Sequence, residues 1–288
     1  MEQTQKIIFR TVLVWFVLFS VAQCLYAQDA RQQAWTVLNA GLAEKNLGER
    51  TIAVRVLGLM TNDPQAPELA MQGLGDPKPE VRAAAADVLG DLNYQAARPK
   101  IREILRSNDE DPLTVLACAR ALLELGDEEA YAVYYAILTG ERKSGSSLTH
   151  SQKKNLSDPK KMAQMGFQQG LGFVPFASVG YGAVKAFTKD DASPVQAAAA
   201  KILIKDPDPK TKEALINASG HKSWIVRMAA VDSLARRDDP SVIPQLEPRL
   251  HDDKEIVRYT AAAAIIRLAD LQDKSAQGRP VAQVAPAK

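Results

Sequence analysis

The sequence predicts an all-α fold: a solenoid of about six helix pairs, broken by one glycine-rich insertion. Three observations predict it. A frame of apolar and small residues recurs about every 32 residues along the 288-residue chain. The apolar content comes largely from alanine and leucine, with aromatics at only 6%, which suits close-packed helices better than sheets. The breaks between helical stretches carry capping chemistry.

The frame is clearest at Val81, Ala85 and Leu89, and recurs at Val115, Ala119, Leu123; Val195, Ala199, Leu203; Val226, Ala230, Leu234; and Val257, Ala261, Ile265. A degenerate first copy fits Glu49, Ala53 and Leu57. Offsets of four and eight put three side chains on one helical face. The middle residue is always alanine, which lets a neighbouring helix approach closely. The anchors lie 32, 34, 80, 31 and 31 residues apart. A less alanine-rich helical segment precedes most of them, at 66–74, 97–105, 128–138, 211–218 and 241–250. Asp76-Pro77, Asp111-Pro112, Ser193-Pro194 and Asp239-Pro240 pair an N-cap acceptor with a proline suited to a first helical turn. Two helices per 31–34 residues, joined by capped turns, define an α-solenoid.

The stretch from Pro240 through Asp252-Asp-Lys-Glu-Ile-Val-Arg-Tyr-Thr-Ala-Ala-Ala-Ala-Ile-Ile-Arg-Leu268 resembles a HEAT repeat of the short bacterial, phycobilisome-lyase-like kind. Asp76-Pro-Lys-Pro-Glu-Val-Arg-Ala-Ala-Ala-Ala-Asp-Val-Leu-Gly90 resembles its second half. The resemblance implies a right-handed α-α superhelix whose alanine-rich second helices line the concave face. It also implies a ladder between stacked repeats, with Asp76, Arg82, Arg227, Asp252 and Arg258 as members. An acidic residue stands five before most anchors and an arginine follows them, but His221, Leu116 and Gln196 depart from this rule. The alternative use of such arginines is a row that binds anions.

The spacing of 80 leaves about 48 extra residues, inside a repeat whose first helix is 128–138 and whose second opens near Pro194. Residues 141–157 are rich in lysine and serine. Residues 166–187 hold five glycines, Pro175 and four phenylalanines, too broken a pattern for one straight helix. Three readings stay open: the insertion packs back on the solenoid, binds a partner, or touches a membrane surface. Phe167, Phe173, Phe176 and Tyr181 are its candidate contacts, with nearby lysines 153, 154, 160 and 161 suited to an anionic surface.

Residues 1–27 read as a signal peptide: basic Lys6 and Arg10, an apolar core from Thr11 to Ala22, and small Ala27 at the cleavage point. The core is short for a membrane span. An uncleaved anchor and a lipoprotein at Cys24 are the alternatives. Cleavage removes Glu2, Lys6 and Arg10, taking the net charge from +2 to +1, and leaves Cys118 alone in an apolar run. The predicted organisation is signal 1–27, repeats 28–139, insertion 140–190, repeats 191–270 and a disordered tail 271–288.

The near balance of 36 basic and 34 acidic residues argues against nucleic acid as partner. Three scattered histidines give no metal-ligand spacing, and no phosphate-binding loop is present. No cofactor, metal or catalytic residue is predicted. The expected function is a periplasmic or secreted scaffold for a protein partner. The alternatives are a membrane-surface adaptor acting through residues 140–190, and a lyase-like enzyme or its accessory subunit, as the resemblance implies.

Overall fold

The computed structural model describes residues 29–107, 111–139 and 193–277, which are helical with no strand among them. The first helices of successive pairs are α1 (29–42), α3 (Gln65–Gly73), α5 (Arg98–Arg106), α7 (Glu129–Leu138), α9 (Pro209–Ala218) and α11 (Ile243–Leu246). The second helices are α2 (Leu47–Val56), α4 (Pro79–Asp91), α6 (Pro112–Glu124), α8 (Ser193–Ile202), α10 (Trp224–Arg236) and α12 (Glu255–Ala276). The fold is thus an all-α solenoid.

Capping sets several of the starts. Asp111 accepts from the amide of Leu113, Asp208 from Lys210 and Asp239 from Ser241. At Asp76 the expected cap is displaced by two residues. Lys78 is the N-cap and Pro79 opens the helix, while Asp76 closes the preceding turn by accepting from Lys78 N at 2.8 Å. The segment 241–250 departs from a simple helix. Prolines 240, 244 and 248 deny it amide donors, so it runs as 3-10, one α turn, then 3-10 again.

Three of the second helices end alike. Asn93 (φ 51°), Gly126 (φ 73°) and Asp238 (φ 55°) take the left-handed conformation just past α4, α6 and α10. Behind the first two, Tyr94 N reaches Leu89 O and Asp127 N reaches Leu122 O, closing the helix ends.

Packing follows one register. In four pairs the buried side chains of the first helix lie 15, 11 and in most cases 7 residues before the anchor: Ala34 and Leu38; Ala66, Ala70 and Leu74; Thr211, Leu215 and Ser219; Val242, Leu246 and Leu250. The second helices form the centre. Ala83–Ala86 and Ala261–Ala264 are all buried, because a helix packs on each side of them. These side chains therefore serve more than the single face that the i, i+4, i+8 spacing marks out.

The order of stacking differs from the order of the chain. The second helices pack as α8–α10–α12–α2–α4–α6, so the C-terminal helix lies against the N-terminal pair. The joint is dense. Tyr259 Oη meets Glu49 at 3.1 Å, Arg267 donates to Leu59 O at 2.9 Å, and Arg31 pairs with Asp270 and Asp273. Gly41 is needed there, since a Cβ would fall 2.6 Å from the Tyr259 ring.

The expected pairing of α7 with α8 is not found. α7 packs on α6 and α8 on α10, and the two share no packed interface. The face of α8 is consequently bare: Val195 is 63% exposed, whereas Val81, Val226 and Val257 are at most 2%. Every exposed large apolar residue among those described lies on α6, α7 or α8: Leu116, Tyr131, Tyr135, Val195 and Ile202. The insertion, with Phe167, Phe173, Phe176 and Tyr181, lies outside the described residues, as do the proposed signal segment and most of the tail.

Candidate functional site

The ladder residues come together in pairs of repeats. Arg227 grips Asp252 of the next repeat through Nε and Nη2 at 2.7 and 2.6 Å, and Arg50 grips Asp76 at 2.8 and 3.2 Å. Each arginine of the row also reaches back six residues to a turn carbonyl: Arg50 to Glu44, Arg82 to Asp76, Arg227 to His221 and Arg258 to Asp252. These contacts have all four hold their own turns, and Arg50 and Arg227 tie repeats together as well. Burial pushes the Asp76 and Asp252 carboxyls up, but hydrogen bonds from Arg50 and Arg227 and from turn amides outweigh it and hold both below the usual carboxylate range.

Two of the departures from the rule, His221 and Gln196, share a cause. His221 occupies the acidic position and does the acid's turn-closing work: its Nδ1 accepts from Ser223 N at 3.0 Å, as Asp76 accepts from Lys78 and Asp252 from Lys254. The residue that would pair with it from the preceding repeat is Gln196, which carries no charge to neutralise.

A second set of charges, which sequence reasoning missed, lines one wall of the stack. Arg55, Asp87, Lys201 and Asp232 each stand six residues after their anchor on a second helix. Asp91, Arg120, Glu124 and Arg236 join them. Arg120 meets Asp87 at 2.7 Å, Arg236 meets Asp232 at 3.1 Å, and Lys201 pairs with the same Asp232. Arg236 of α10 also acts on the charge of Asp91 of α4. Helices α12 and α2 separate these two in the stack. Three steps of a straight stack would place them about 25 Å apart, yet α10 also meets residues 57–59, which follow α2, so the stack bends toward this wall, which is concave.

Crowding in the concavity shifts its acids. Burial pushes Asp91 up to about 6 against the pull of Arg120, with Asp87 adding repulsion. Burial likewise pushes Glu124 up to about 7, with Asp91 adding to it. Both carboxyls still touch solvent, so the crowding comes from surrounding protein volume. Asp232 differs. Although burial pushes it up, Lys201 and Arg236 hold it low. Gly90 makes the arrangement possible, because a Cβ there would lie 2.1 Å from Glu124 Oε2. Cys118 is buried. Among the described residues no group of three His, Cys, Asp or Glu could hold a metal ion, and no helix is long and apolar enough to cross a membrane.

The sequence profile of HEAT repeats matches residues 40–111, 67–143 and 182–266, more than half of the chain. The chain belongs to the HEAT-repeat family. No characterised protein matches it in sequence. Among solved structures the HEAT chain is similar to human deoxyhypusine hydroxylase in complex with glycerol, at 14% identity, 84% coverage of this chain, 98% of that chain and a TM-score of 0.31. Within the HEAT array, the alanine-rich second helices supply both the stacking core and the charged concave wall.

Proposed function

We propose that the protein is an exported, non-enzymatic HEAT-repeat scaffold that takes a protein partner on its concave wall. The observation that carries this reading is the wall itself. Lys201, Asp232 and Arg236 from the C-terminal repeats face Arg55, Asp87, Asp91, Arg120 and Glu124 from the N-terminal ones. Charges of both signs on a curved surface favour recognition of an extended partner with complementary charges, and confer specificity more than affinity. Export rests on the N-terminal pattern of basic, apolar and small residues.

The test is crosslinked capture from the exported fraction with the wild-type chain and with a Lys201→Glu, Arg236→Glu double variant. A partner recovered at stoichiometry with wild type and lost with the variant is the expected result. Equal recovery by both removes the concave wall from recognition, and failure to recover any partner removes the scaffold reading. Mass measurement of the exported chain tests cleavage after Ala27.

A further inference from the structure

The joint between the two ends of the chain contains an uncompensated pair of acids. Asp270 on α12 accepts from Arg31 Nη2 through Oδ1 at 2.5 Å. Its Oδ2 is buried and has no donor within reach. Against it lies Asp63, only 7% exposed, in the turn that leads into α3, which Arg267 and Lys274 of α12 tie down through Thr61 and Asn62; the Asp63 carboxyl acts on that of Asp270. Asp63 Oδ1 is already engaged by the amide of Gln65 at 2.7 Å. Two ionised carboxylates are acceptors only and cannot hydrogen-bond one another. A single proton between them supplies the missing donor.

The charges that face this pair point the same way. Arg31 comes from α1, where its Nη1 also binds Asp273 at 2.7 Å. Lys274 stands one turn further along α12 and donates to Asn62 O at 3.2 Å. Arg267, one turn earlier, is matched by Asp238 and also holds Leu59 O and Thr61 Oγ1. Setting that matched pair aside, two cations face three carboxylates. Full ionisation leaves a net negative joint, and one bound proton makes it neutral.

We propose that Asp270 and Asp63 form a proton-operated latch between the N-terminal and C-terminal repeats, closed when the Asp270 carboxyl carries a proton that it donates to Asp63 and loosened when Asp270 ionises. The latch sits on the α12–α2 step, the step that brings Arg236 and Asp91 to face one another across the concave wall. Protonation of this joint therefore sets the spacing of the two halves of that wall.

The direction of the effect follows from linkage. Burial, with Asp63 adding repulsion against the pull of Arg31, pushes Asp270 up to about 6 from 3.8. The closed joint binds the proton more tightly than the opened one. Closure is strongest near pH 4, weakens as pH rises toward 6, and is constant above that.

The test is hydrogen exchange on the full chain at residues 59–63 and 267–274 from pH 4 to 7.5, corrected for intrinsic exchange. Wild type, Asp270→Asn and Asp63→Asn are compared. The side-chain amide that Asp270→Asn introduces copies the protonated acid, donating to Asp63 and accepting from Arg31. The expected result is about tenfold or more extra opening in wild type between pH 4 and 6.5, absent from Asp270→Asn. With Asp63→Asn the transition falls to lower pH. Because the other titrating groups are common to all three chains, the difference curves isolate this pair. Wild type and either variant running parallel across the range overturns the latch.

Discussion

Arg227 donates two hydrogen bonds to the carboxylate of Asp252 in the following repeat while its Nη1 holds the His221 and Lys222 carbonyls of its own. One guanidinium thus fixes both the turn before α10 and the distance to the next turn. Both side chains are largely buried, at 10% and 3% exposure. Removing one partner strands the other, which costs about 3 kcal/mol or more. Arg227→Ala is expected to destabilise by about that much in urea unfolding. Arg227→Lys recovers only part of it, because an ammonium cannot bind both oxygens in the same planar fork. A loss under 1 kcal/mol would show the ladder to be ornamental.

Gly58 and Gly90 follow the same frame position in successive repeats but sit in different surroundings. A Cβ at Gly90 meets Glu124 Oε2 at 2.1 Å and Ala121 Cα at 3.0 Å, whereas at Gly58 nothing lies closer than 3.7 Å. Gly90→Ala is expected to push Glu124 off the concave wall and destabilise by about 1–3 kcal/mol, as overpacking does. Gly58→Ala is expected to be neutral within about 0.5 kcal/mol. Thermal unfolding of the two variants side by side decides this.

Glu124 gives the concave wall a pH dependence. Its folded pKa, about 7 from burial and then Asp91, lies above its ordinary 4.5. The folded state binds this proton more tightly, so stability falls as pH rises from about 4.5 to 7. Glu124→Gln is expected to match wild type near pH 4.5 and exceed it at pH 8. With more than a third of the side chain exposed, screening reduces the gain to about 1 kcal/mol, or a few degrees in Tm. Identical pH profiles would show that the wall does not crowd this carboxyl.

Acid has the reverse action on the ladder. Despite burial, Asp76 and Asp252 are held low by Arg50, Arg227 and turn amides. Their contribution is complete above about pH 4 and is lost as pH falls through their depressed folded values. Asp76→Asn together with Asp252→Asn is expected to flatten the acid limb of the stability profile below pH 4.

Val195 and Val81 share a frame position, with exposures of 63% and 1%. Val81→Ala is expected to cost about 2 kcal/mol as a core truncation, and Val195→Ala under about 0.5 kcal/mol. Equal costs would show that α8 is covered in solution.

The period, the all-α class and most helix positions were legible in the sequence because each depends on neighbours within one turn or one repeat. So were the N-caps at Asp111 and Asp239. His221 looked like a violation because its role is accepting one amide hydrogen bond, which does not require a carboxylate. The pairing of α7 with α8 was misread because period alone cannot show which ends of an array meet. Arg31 and Asp270, 239 residues apart, carry no local signature of contact. The concave charges did leave a signal, a polar residue six after several anchors, but Ala121 and Ala263 interrupt it.

The α12–α2 joint has a consequence for folding. Numbered by stacking, the described part of the array starts at α8 and ends at α7, so its order is a circular permutation of the order of the chain. Both blocks can assemble from contacts near in sequence, but uniting them closes a loop of about 200 residues, a slow event. A chain recut to begin at residue 193, joined through its old ends and finishing at residue 139 would synthesise its repeats in stacking order. It is expected to refold faster than the natural chain in stopped-flow measurements. Equal rates would mean that some step other than the meeting of the two ends sets the pace.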